Sequence, residues 1–471
     1  MTDLTDSIQL KVANQRKLIP SLYGDVDMSI VPYRFAGSVR DQSLLPASQS
    51  DRRIQILRDL DRVERFSAYT MLGDTVSDAY AALLPCYGFR RLMDMLITAC
   101  DKGIATVPNA PPELHRFMDE LAHVPDWLDL DRVEEGARYT RIHMAIQVPF
   151  VIRSLFIATF TNAYSGLPMA LTGTLAGQSA ARRMQETASF FTTACLPGAL
   201  QPHGVGFKAA AMVRLMHSMV RFNLLTRSKR WDVNVYGIPI PQIDQMPAGM
   251  VPALLLAAKA MRRRSKRFTA REQAIVELCR YQSYLLGLPQ ELLPATPAGI
   301  LDLITTYYAT LRDGYDDATC GALARATMAA YRPSDKRLRS RLYNSFERSF
   351  SRVYFERLFP GKDRASIARR MGIESKPMDY LKFSLTALYL APQVAFHTIA
   401  SRLPLLAPIA DSLLIRRIQR LLLDYGHARY TTDAAAYTDG RSSTDGRNST
   451  ADRNTTPVYP QAPFAWQQHE H

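Results

Sequence analysis

The stretch GVGFKAAAMVRLMHSMVRFNLLTR, Gly204 to Arg227, predicts the helix around which the rest of the chain is organised. Its glycines stand at the start, and the run that follows contains neither glycine nor proline. Apolar residues then recur at helical spacing: Met212, Val213, Met216, Val220 and Leu224. The pattern indicates one long helix with an apolar stripe.

His217 is the histidine inside that stripe, one turn after Val213. Arg214 and Arg221 stand three residues before it and four residues after it, so both flank the same face of the helix. We expect the imidazole to be neutral, because neighbouring like charges disfavour its cationic form. Neutral imidazole is the form that coordinates a metal ion or a haem iron. A hydrogen-bonded core histidine explains the same pattern, and no second His or Cys stands at ligand spacing.

A second predicted helix, SAARRMQETASFFTTAC from Ser179 to Cys195, carries three polar residues beside its apolar stripe. Arg183 and Glu186 are three residues apart, and Thr187 follows. One interpretation is a surface Arg–Glu pair, worth roughly a few tenths of a kcal/mol. The other is a polar cluster at the edge of an apolar cavity that faces His217.

The chain has 471 residues, of which 47% are hydrophobic, so it can bury a core in one large or two ordinary domains. Its formal charge of +14 raises the question of an anionic partner. The one dense basic run is RRRSKR, Arg262 to Arg267, interpreted first as a solvated helix end and second as a contact to anionic lipid. Nucleic acid is not expected, because zinc-finger spacing and aromatic-interleaved basic strands are absent from the sequence.

The cysteines are odd in number and form no CxxC pair, which argues against a disulfide framework and favours a reducing compartment. The N-terminal sequence lacks the basic start and apolar core of an export signal. The nearest approach to a membrane span is Met144 to Phe160, which Gln147, Pro149 and Arg153 interrupt, so a buried core helix is predicted there. We therefore expect a cytoplasmic protein, with association with a membrane surface as an open alternative.

Three segments are predicted along the chain. Residues 1–50 are expected to be irregular, because prolines interrupt them. Residues 51–428 are expected to form one helical domain, and residues 429–471 a disordered tail in which TDGR occurs twice among Ser, Thr, Asn and Asp. Several positions in the helical domain are predicted to start helices: Asp74 or Thr75, Pro111-Pro112-Glu113, and Thr269 with Glu272.

The segment Leu381 to Leu423 is strongly apolar, is interrupted by prolines and ends in a cluster of arginines. A terminal pair of core helices is the first interpretation. The second is an amphipathic surface that lies on a membrane, with its arginines at the level of the lipid headgroups.

Several segments of the chain together resemble a known family. They are, in chain order, GDTVSDAY, VPDWLDLDRVEEGARY, RRMQET, LPG, GVGF, VRLMHSMVR and GIPIPQIDQM. This ordered set resembles the rubber oxygenase (latex-clearing protein) and MpaB-type haem oxygenase family. The resemblance is good over roughly residues 70 to 260 and looser to about residue 425. Its many parts make it more specific than any one segment.

The resemblance implies an all-α fold, in which one large helical domain contains a globin-like, haem-binding core and additional helices. It implies a b-type haem held through one proximal histidine, and His217 matches that position. In the rubber oxygenases the distal side carries an arginine, a lysine and a threonine in the pattern RxxKT. Arg183 and Thr187 match this pattern, but Glu186 stands where the lysine would be. This departure, with the missing export signal, weakens the expectation that polyisoprene is the substrate.

The function implied is that of a haem-dependent oxygenase that uses dioxygen on an apolar, isoprenoid- or lipid-like substrate, attacking or cleaving a C=C bond. Arg183 and Thr187 are expected to donate hydrogen bonds to developing negative charge, and Glu186 to give or take a proton. Arg214 and Arg221 are expected to bind the haem propionates. The alternative is a non-catalytic protein of the same fold that binds an apolar ligand or a membrane surface.

Overall fold

The computed structural model describes residues 2–172, 177–333, 335–358 and 364–425. Within these ranges the chain forms 21 α-helices and no β-strand. The predicted all-α fold is confirmed. The predicted tail lies outside the described residues.

The α-helices follow one another through mostly short connections. In chain order they are α1 (Thr2–Leu18), α2 (Pro20–Tyr23), α3 (Ser50–Leu57), α4 (Leu60–Tyr69), α5 (Thr75–Ala81), α6 (Leu84–Lys102), α7 (Pro112–Ala122), α8 (Leu130–Ile146), α9 (Val148–Ala158), α10 (Ala163–Leu171), α11 (Gly177–Thr193), α12 (Val205–Thr226), α13 (Val233–Tyr236), α14 (Gln242–Arg262), α15 (Ala270–Leu285), α16 (Pro297–Thr310), α17 (Ala322–Ala329), α18 (Leu338–Leu358), α19 (Arg364–Arg370), α20 (Pro377–Ala400) and α21 (Ala407–Tyr425). The shorter elements are 3₁₀ helices at Ala47–Gln49, Ile104–Thr106 and Gln290–Leu292 and a π-helical turn at Asp317–Gly321.

Helix α12 lies in the largest apolar cluster of the molecule. Fifteen of its 22 residues are buried, and it packs against α5, α6, α11 and α15. A helix enclosed in this way cannot shift without disturbing a close-packed core. The stretch chosen from the sequence is therefore the central helix of the fold.

The N-terminal prediction is wrong for residues 2–23, which form α1 and α2. Helix α1 buries Ile8, Val12 and Gln15, a stripe at helical spacing, and packs against α4. Pro20 does not interrupt the helical structure, because it occupies the first turn of α2, where its missing N–H would have no intrahelical partner. The N-terminal segment thus belongs to the helical domain.

The single helix predicted over Met144 to Phe160 is two helices. Helix α8 ends at Ile146, α9 begins at Val148, and their axes are bent by 96°. Pro149 explains the break, since a proline fits the first turn of a helix but not its interior. Helix α9 is buried, as predicted. In the part of the chain that the structure describes, no single helix is long and apolar enough to cross a membrane, and α8 with α9 passes that test only as a bent pair.

The first interpretation of the segment Leu381 to Leu423, a pair of core helices, is wrong for most of its surface. Helix α20 buries only four of its 24 residues, and α21 buries three of its 19. Helix α20 rests on α18, and α21 rests on α8 and α11. Each of the two helices therefore contributes only a narrow row of buried residues to the core. In this segment the apolar pattern of the sequence did not predict which residues are buried.

The predicted helix starts are confirmed. The side chain of Asp74 accepts a hydrogen bond from the backbone N–H of Ser77 at 3.2 Å and caps α5. Helix α7 begins at Pro112. Thr269 and Glu272 form both bonds of a capping box at the start of α15.

Glu272 also joins the basic run to this cap. Arg263 donates to its two carboxylate oxygens at 2.9 and 2.7 Å, and the Lys259 ammonium lies 3.2 Å away. The hydrogen bonds from Arg263, more than any other contact, lower the pKa of Glu272 to about 2. Part of the basic run is thus the end of α14 held against the start of α15.

We expect acid to weaken the contact between the end of α14 and the start of α15. The carboxyl has a pKa of about 4.3 in an unfolded chain, so its contribution to stability is present above that pH and is lost as the pH falls towards about 2. Glu272→Gln should lower the unfolding free energy near neutral pH by about 1–2 kcal/mol and should reduce the further loss on acidification. Urea titrations near neutral pH and at about pH 3 measure both effects.

Glu374→Gln is the matched control, because Glu374 accepts from Arg369 at 3.0 Å in a pair whose side chains are 53% and 72% exposed. It should leave both stability and its pH dependence nearly unchanged. If Glu272→Gln lost stability on acidification as much as the unmodified protein does, Glu272 would not be the carboxyl responsible for that loss.

Candidate functional site

His217 is held in one orientation by a glutamine of α14. Its Nδ1 lies 2.9 Å from Oε1 of Gln245. The amide nitrogen of Gln245 donates to Oε1 of Gln242 at 3.0 Å, which fixes the end of the amide that faces the ring. Because an amide oxygen only accepts hydrogen bonds, Nδ1 carries the proton and Nε2 the lone pair. Among the described residues, none forms a hydrogen bond with Nε2.

The imidazole of His217 is neutral at pH 7, as expected from the sequence. Its pKa is lowered to about 4, chiefly because burial disfavours the charged ring. The charges of Arg221 and Arg183 lower the pKa further, while the hydrogen bond with Gln245 and the charge of Asp74 raise it. Burial is therefore the main cause, and the Arg183 guanidinium lies within electrostatic reach of the ring.

Helices α11 and α12 are in contact and are joined by residues 194–204. The charge of Arg183 on α11 acts on the ring of His217 on α12, so these two positions lie near each other. His217 retains some accessible surface although protein surrounds it, and Arg183 and Thr187 on α11 also remain partly accessible. These three side chains are the partly accessible members of the candidate site on the two contacting helices.

Arg183, Glu186 and Thr187 form the polar cluster predicted for α11. Nη1 of Arg183 donates to Oε2 of Glu186 at 3.3 Å, and Oγ1 of Thr187 donates to the carbonyl oxygen of Arg183 at 3.1 Å. Glu186 is 8% exposed, so this is not a solvated surface pair. Burial raises the pKa of Glu186, while the nearby Arg183 opposes that shift.

Arg214 is buried and bound by two carboxylates. It donates to Asp74 through Nε at 2.5 Å and through Nη2 at 2.8 Å, and it donates to Glu120 through Nη2 as well. Its guanidinium also lies 5.3 Å from the centroid of the Phe117 ring. Asp74, predicted only as a helix cap, therefore also pairs with α12.

Arg221 forms an ion pair with Asp78 in which both side chains are 0% exposed. Its Nη1 donates to Oδ1 of Asp78, and its Nε donates to the carbonyl oxygen of Pro239 at 2.9 Å. The hydroxyl of Tyr23 donates to the other oxygen of Asp78 at 2.5 Å. Burial holds the pKa of Tyr23 well above its ordinary value, so the phenol keeps its proton and remains a donor.

The role of Arg214 and Arg221 as propionate ligands stays a prediction. Their contacts in the structure join α12 to α5 and α7.

Sequence reasoning missed the carboxylate partners of these two arginines, although a signal was present. Asp74 and Asp78 are four residues apart, which places them on one face of α5. Gln245 was also missed: it lies in the quoted segment GIPIPQIDQM, but a glutamine has no spacing that indicates its role.

We expect the loss of Asp78 to destabilise the domain. Asp78→Ala leaves the buried Arg221 cation without its carboxylate, which should cost about 3–5 kcal/mol of unfolding free energy. Chemical denaturation measures the change. The matched control is Asp101→Ala, because Asp101 pairs at 2.6 Å with Lys208, also on α12, and their side chains are 40% and 29% exposed.

The control should cost less than about 1 kcal/mol. An equally small loss for Asp78→Ala would mean that the contact between α5 and α12 does not depend on the pair.

Comparison with known proteins places this chain in a family. Residues 149–390 match the family described as "ER-bound oxygenase mpaB/B'/Rubber oxygenase, catalytic domain". The matched range contains α11, α12 and α14, and so all of Arg183, Glu186, Thr187, His217 and Gln245. It starts later than the resemblance in the sequence, at α9 rather than near α5, and it extends into α20.

Two relatives agree with this match. A rubber oxygenase from Streptomyces sp. (strain K30) is 24% identical over 196 residues, which are 40% of this chain and 46% of that protein. The aligned region therefore spans less than half the length of that relative. A solved structure of latex clearing protein LCP in the closed state superposes with a TM-score of 0.53 at 20% sequence identity, covering 75% of this chain and 91% of that one, and so supports the fold. Since the family match covers more than half of its residues, the chain belongs to the mpaB and rubber oxygenase family.

Proposed function

We propose that this protein is an oxygenase that holds one b-type haem through His217 and uses dioxygen to attack a C=C bond of an apolar, isoprenoid- or lipid-like substrate. The observation that carries the proposal is the state of His217. Its ring is neutral, its Nδ1–H is bonded to an amide oxygen, and its Nε2 has no hydrogen-bond partner among the described residues. Membership of an oxygenase family supports the proposal that the protein is an oxygenase.

The residues around His217 fit such a group. Histidines that coordinate a metal usually donate their other ring N–H to a carbonyl or carboxylate, which fixes the ring and its tautomer. Gln245 supplies that partner. In the described ranges no group of three or more His, Cys, Asp or Glu side chains is placed to hold a metal ion. The arrangement proposed, a cofactor held by a single histidine, is the one that the family resemblance implies. Haem bound there supplies the dioxygen chemistry.

Arg183 is proposed to stabilise negative charge that develops during the reaction. The charge of its guanidinium lowers the pKa of the His217 ring. The Arg183 side chain is 20% exposed. A cation fixed in a space that excludes most water interacts more strongly with such charge than it would in solution. Thr187 is proposed as a second donor, and its hydroxyl would have to leave the Arg183 carbonyl to act.

Glu186 is proposed to hold and transfer a proton. Burial raises the pKa of its carboxyl and so moves it towards neutral pH, while its 3.3 Å contact with Arg183 favours the ionised form. These opposed influences suit a group that must both accept and return a proton near neutral pH. Its Oε2 is the atom in contact with Arg183, so a proton is better placed on Oε1.

Apolar side chains near this cluster suit a hydrocarbon substrate. Phe190 and Phe191 of α11 pack with their ring centroids 5.0 Å apart, and Phe191 remains partly accessible. Met184, seven residues before Phe191 and so on the same face of α11, packs in a cluster with Phe156 and Phe160. Side chains of this composition favour apolar ligands, because contact with them removes apolar surface from water.

The direct test is the absorption spectrum of the full chain expressed with haem supplied, followed by oxygen uptake with an unsaturated lipid or isoprenoid. A strong Soret band with substrate-dependent oxygen uptake is expected. A colourless protein would reject the proposal in favour of a non-catalytic protein that binds an apolar ligand.

His217→Ala should abolish haem retention while the helical content stays unchanged, because it removes the proposed ligand from a large and otherwise intact core. Gln245→Leu should weaken haem retention about 10–100-fold, because the ring loses the partner that orients it. Haem content by absorbance and helicity by circular dichroism measure the two effects separately.

The control is His143→Ala. His143 is an exposed histidine whose Nδ1 also lies near a glutamine oxygen, that of Gln147 at 2.6 Å. It should keep its full haem content. Full haem occupancy in His217→Ala would remove the proximal assignment.

Glu186→Gln should lower turnover of an alkene substrate and flatten its pH profile, with haem content unchanged, because the amide keeps the shape of the side chain but carries no exchangeable acid proton. Glu186→Lys, which restores the residue of the related RxxKT pattern, should shift the resting spectrum towards that of a nitrogen-coordinated haem. Glu374→Gln, a change at an exposed glutamate in the connection between α19 and α20, should alter neither. Unchanged turnover and pH profile in Glu186→Gln would leave the distal role to Arg183 and Thr187.

A further inference from the structure

The outer face of α20 is apolar along the whole helix. Its exposed large side chains range from 46% exposed for Tyr380 to 72% for Leu388. They recur three or four residues apart over most of the helix and so form one stripe about 30 Å long. The members of this stripe are Met378, Leu381, Leu385, Leu388, Tyr389, Phe396 and Ile399. Tyr380 lies beside the stripe, and its hydroxyl donates to Glu356 of α18 at 2.8 Å.

The two charged residues of α20, Asp379 and Lys382, are bonded to α18. Asp379 accepts a hydrogen bond from Ser349 of α18 at 2.6 Å, and Lys382 donates to Ser345 of α18 at 2.8 Å. Of the residues of α20, all of which the structure describes, none that is exposed carries a charge. Water therefore meets an uncharged apolar helix face, which is unusual for a protein surface.

The apolar surface continues past the end of α20. The connection to α21 exposes Leu403, Leu405 and Leu406, and Leu405 is 88% exposed. The first turns of α21 add Ile409 and Leu413, which are 59% and 47% exposed. We call the α20 stripe together with these five residues the α20–α21 face. Contiguous apolar surfaces of this extent mark a binding surface.

The border of the α20–α21 face is cationic. Between residues 377 and 425, the exposed charged side chains are Arg402, Arg416, Arg420 and one carboxylate, Asp424. Arg402 lies in the connection, beside the exposed leucines, and the other two arginines follow one another on α21. An uncharged stripe bordered by arginines complements a bilayer, whose acyl region is apolar and whose headgroup layer carries phosphates.

We propose that the α20–α21 face binds the surface of an anionic lipid bilayer, with α20 lying parallel to the membrane plane. Helix α20 lies on the bilayer and does not cross it, because it is bonded to α18 through Asp379 and Lys382. This proposal does not depend on the oxygenase activity, since none of its residues belongs to the His217 site.

Two other occupants suit the face less well. A second copy of this chain related by a two-fold axis would bring the same patch against itself, and so would oppose one patch of three exposed arginines and one carboxylate to another of the same net charge. Such like charges oppose association. The chain beyond Tyr425 is dominated by Ser, Thr, Asp, Asn and Arg and offers few apolar residues over most of its length to cover the stripe.

The test is co-sedimentation of the full chain with vesicles of phosphatidylcholine alone and of phosphatidylcholine with phosphatidylserine. The unmodified protein should sediment with the anionic vesicles and much less with the neutral ones. The double variant Leu385→Ser and Leu388→Ser should bind the anionic vesicles at least about tenfold more weakly. Arg416→Gln with Arg420→Gln should weaken the same binding about fivefold for each arginine removed.

The matched control is Leu60→Ser on α4, because Leu60 is 73% exposed but lies away from the face. It should bind like the unmodified protein. No sedimentation with either vesicle, equal sedimentation with both, or an equal loss in Leu60→Ser would overturn the proposal. So would a dimer, detected by sedimentation velocity without vesicles, that the double leucine variant dissociates while vesicle binding is absent.

Discussion

The buried ion pair between Arg221 and Asp78 constrains the candidate site more than any apolar contact does. Both side chains are completely removed from water, so separating them would leave a charge in the core without compensation. Helix α12 therefore cannot rotate or slide against α5 while the protein remains folded. Because His217 lies on the same face of α12 as Arg221, the pair that fixes the helix also fixes the direction of the imidazole.

The same short segment of chain also positions the partner of the imidazole. The backbone N–H of Gln242 donates to the carbonyl oxygen of Leu72 at 2.9 Å, two residues before Asp74. Gln242 in turn holds the amide of Gln245, which bonds His217. Helices α12 and α14 are thus both fastened to the start of α5, and the ring and its acceptor share one anchor. An arrangement of this kind keeps a side chain preorganised without any contact to a ligand.

The parts of this structure that local patterns encode were predictable, and those that depend on distant partners were not. The stripe of α12 and the caps at Asp74 and Thr269 follow from residues close together in the chain. The neutral state of His217 was also predicted, but its main cause is burial, which depends on the packed fold more than on the neighbouring arginines. The bond between Arg214 and Asp74 joins residues 140 positions apart, and no spacing rule reaches that far. In α1 the error came from treating Pro20 as a break when it begins the next helix. In α20 the error arose because an apolar stripe has the same helical spacing whether it packs in a core or lies on the protein surface.

The choice of an amide, rather than a carboxylate, as the partner of His217 sets the electronic character of the ring. A carboxylate draws the Nδ1 proton towards itself and gives the imidazole part of the character of an anion, which makes Nε2 a stronger donor. Gln245 is uncharged and leaves the proton on the ring, so Nε2 remains an ordinary neutral nitrogen. A metal centre that received so little electron density from this side would be easier to reduce and harder to oxidise than one facing a carboxylate-bonded histidine. In the proposed haem site, a single hydrogen-bond acceptor placed on α14 would then favour the reduced state of the iron.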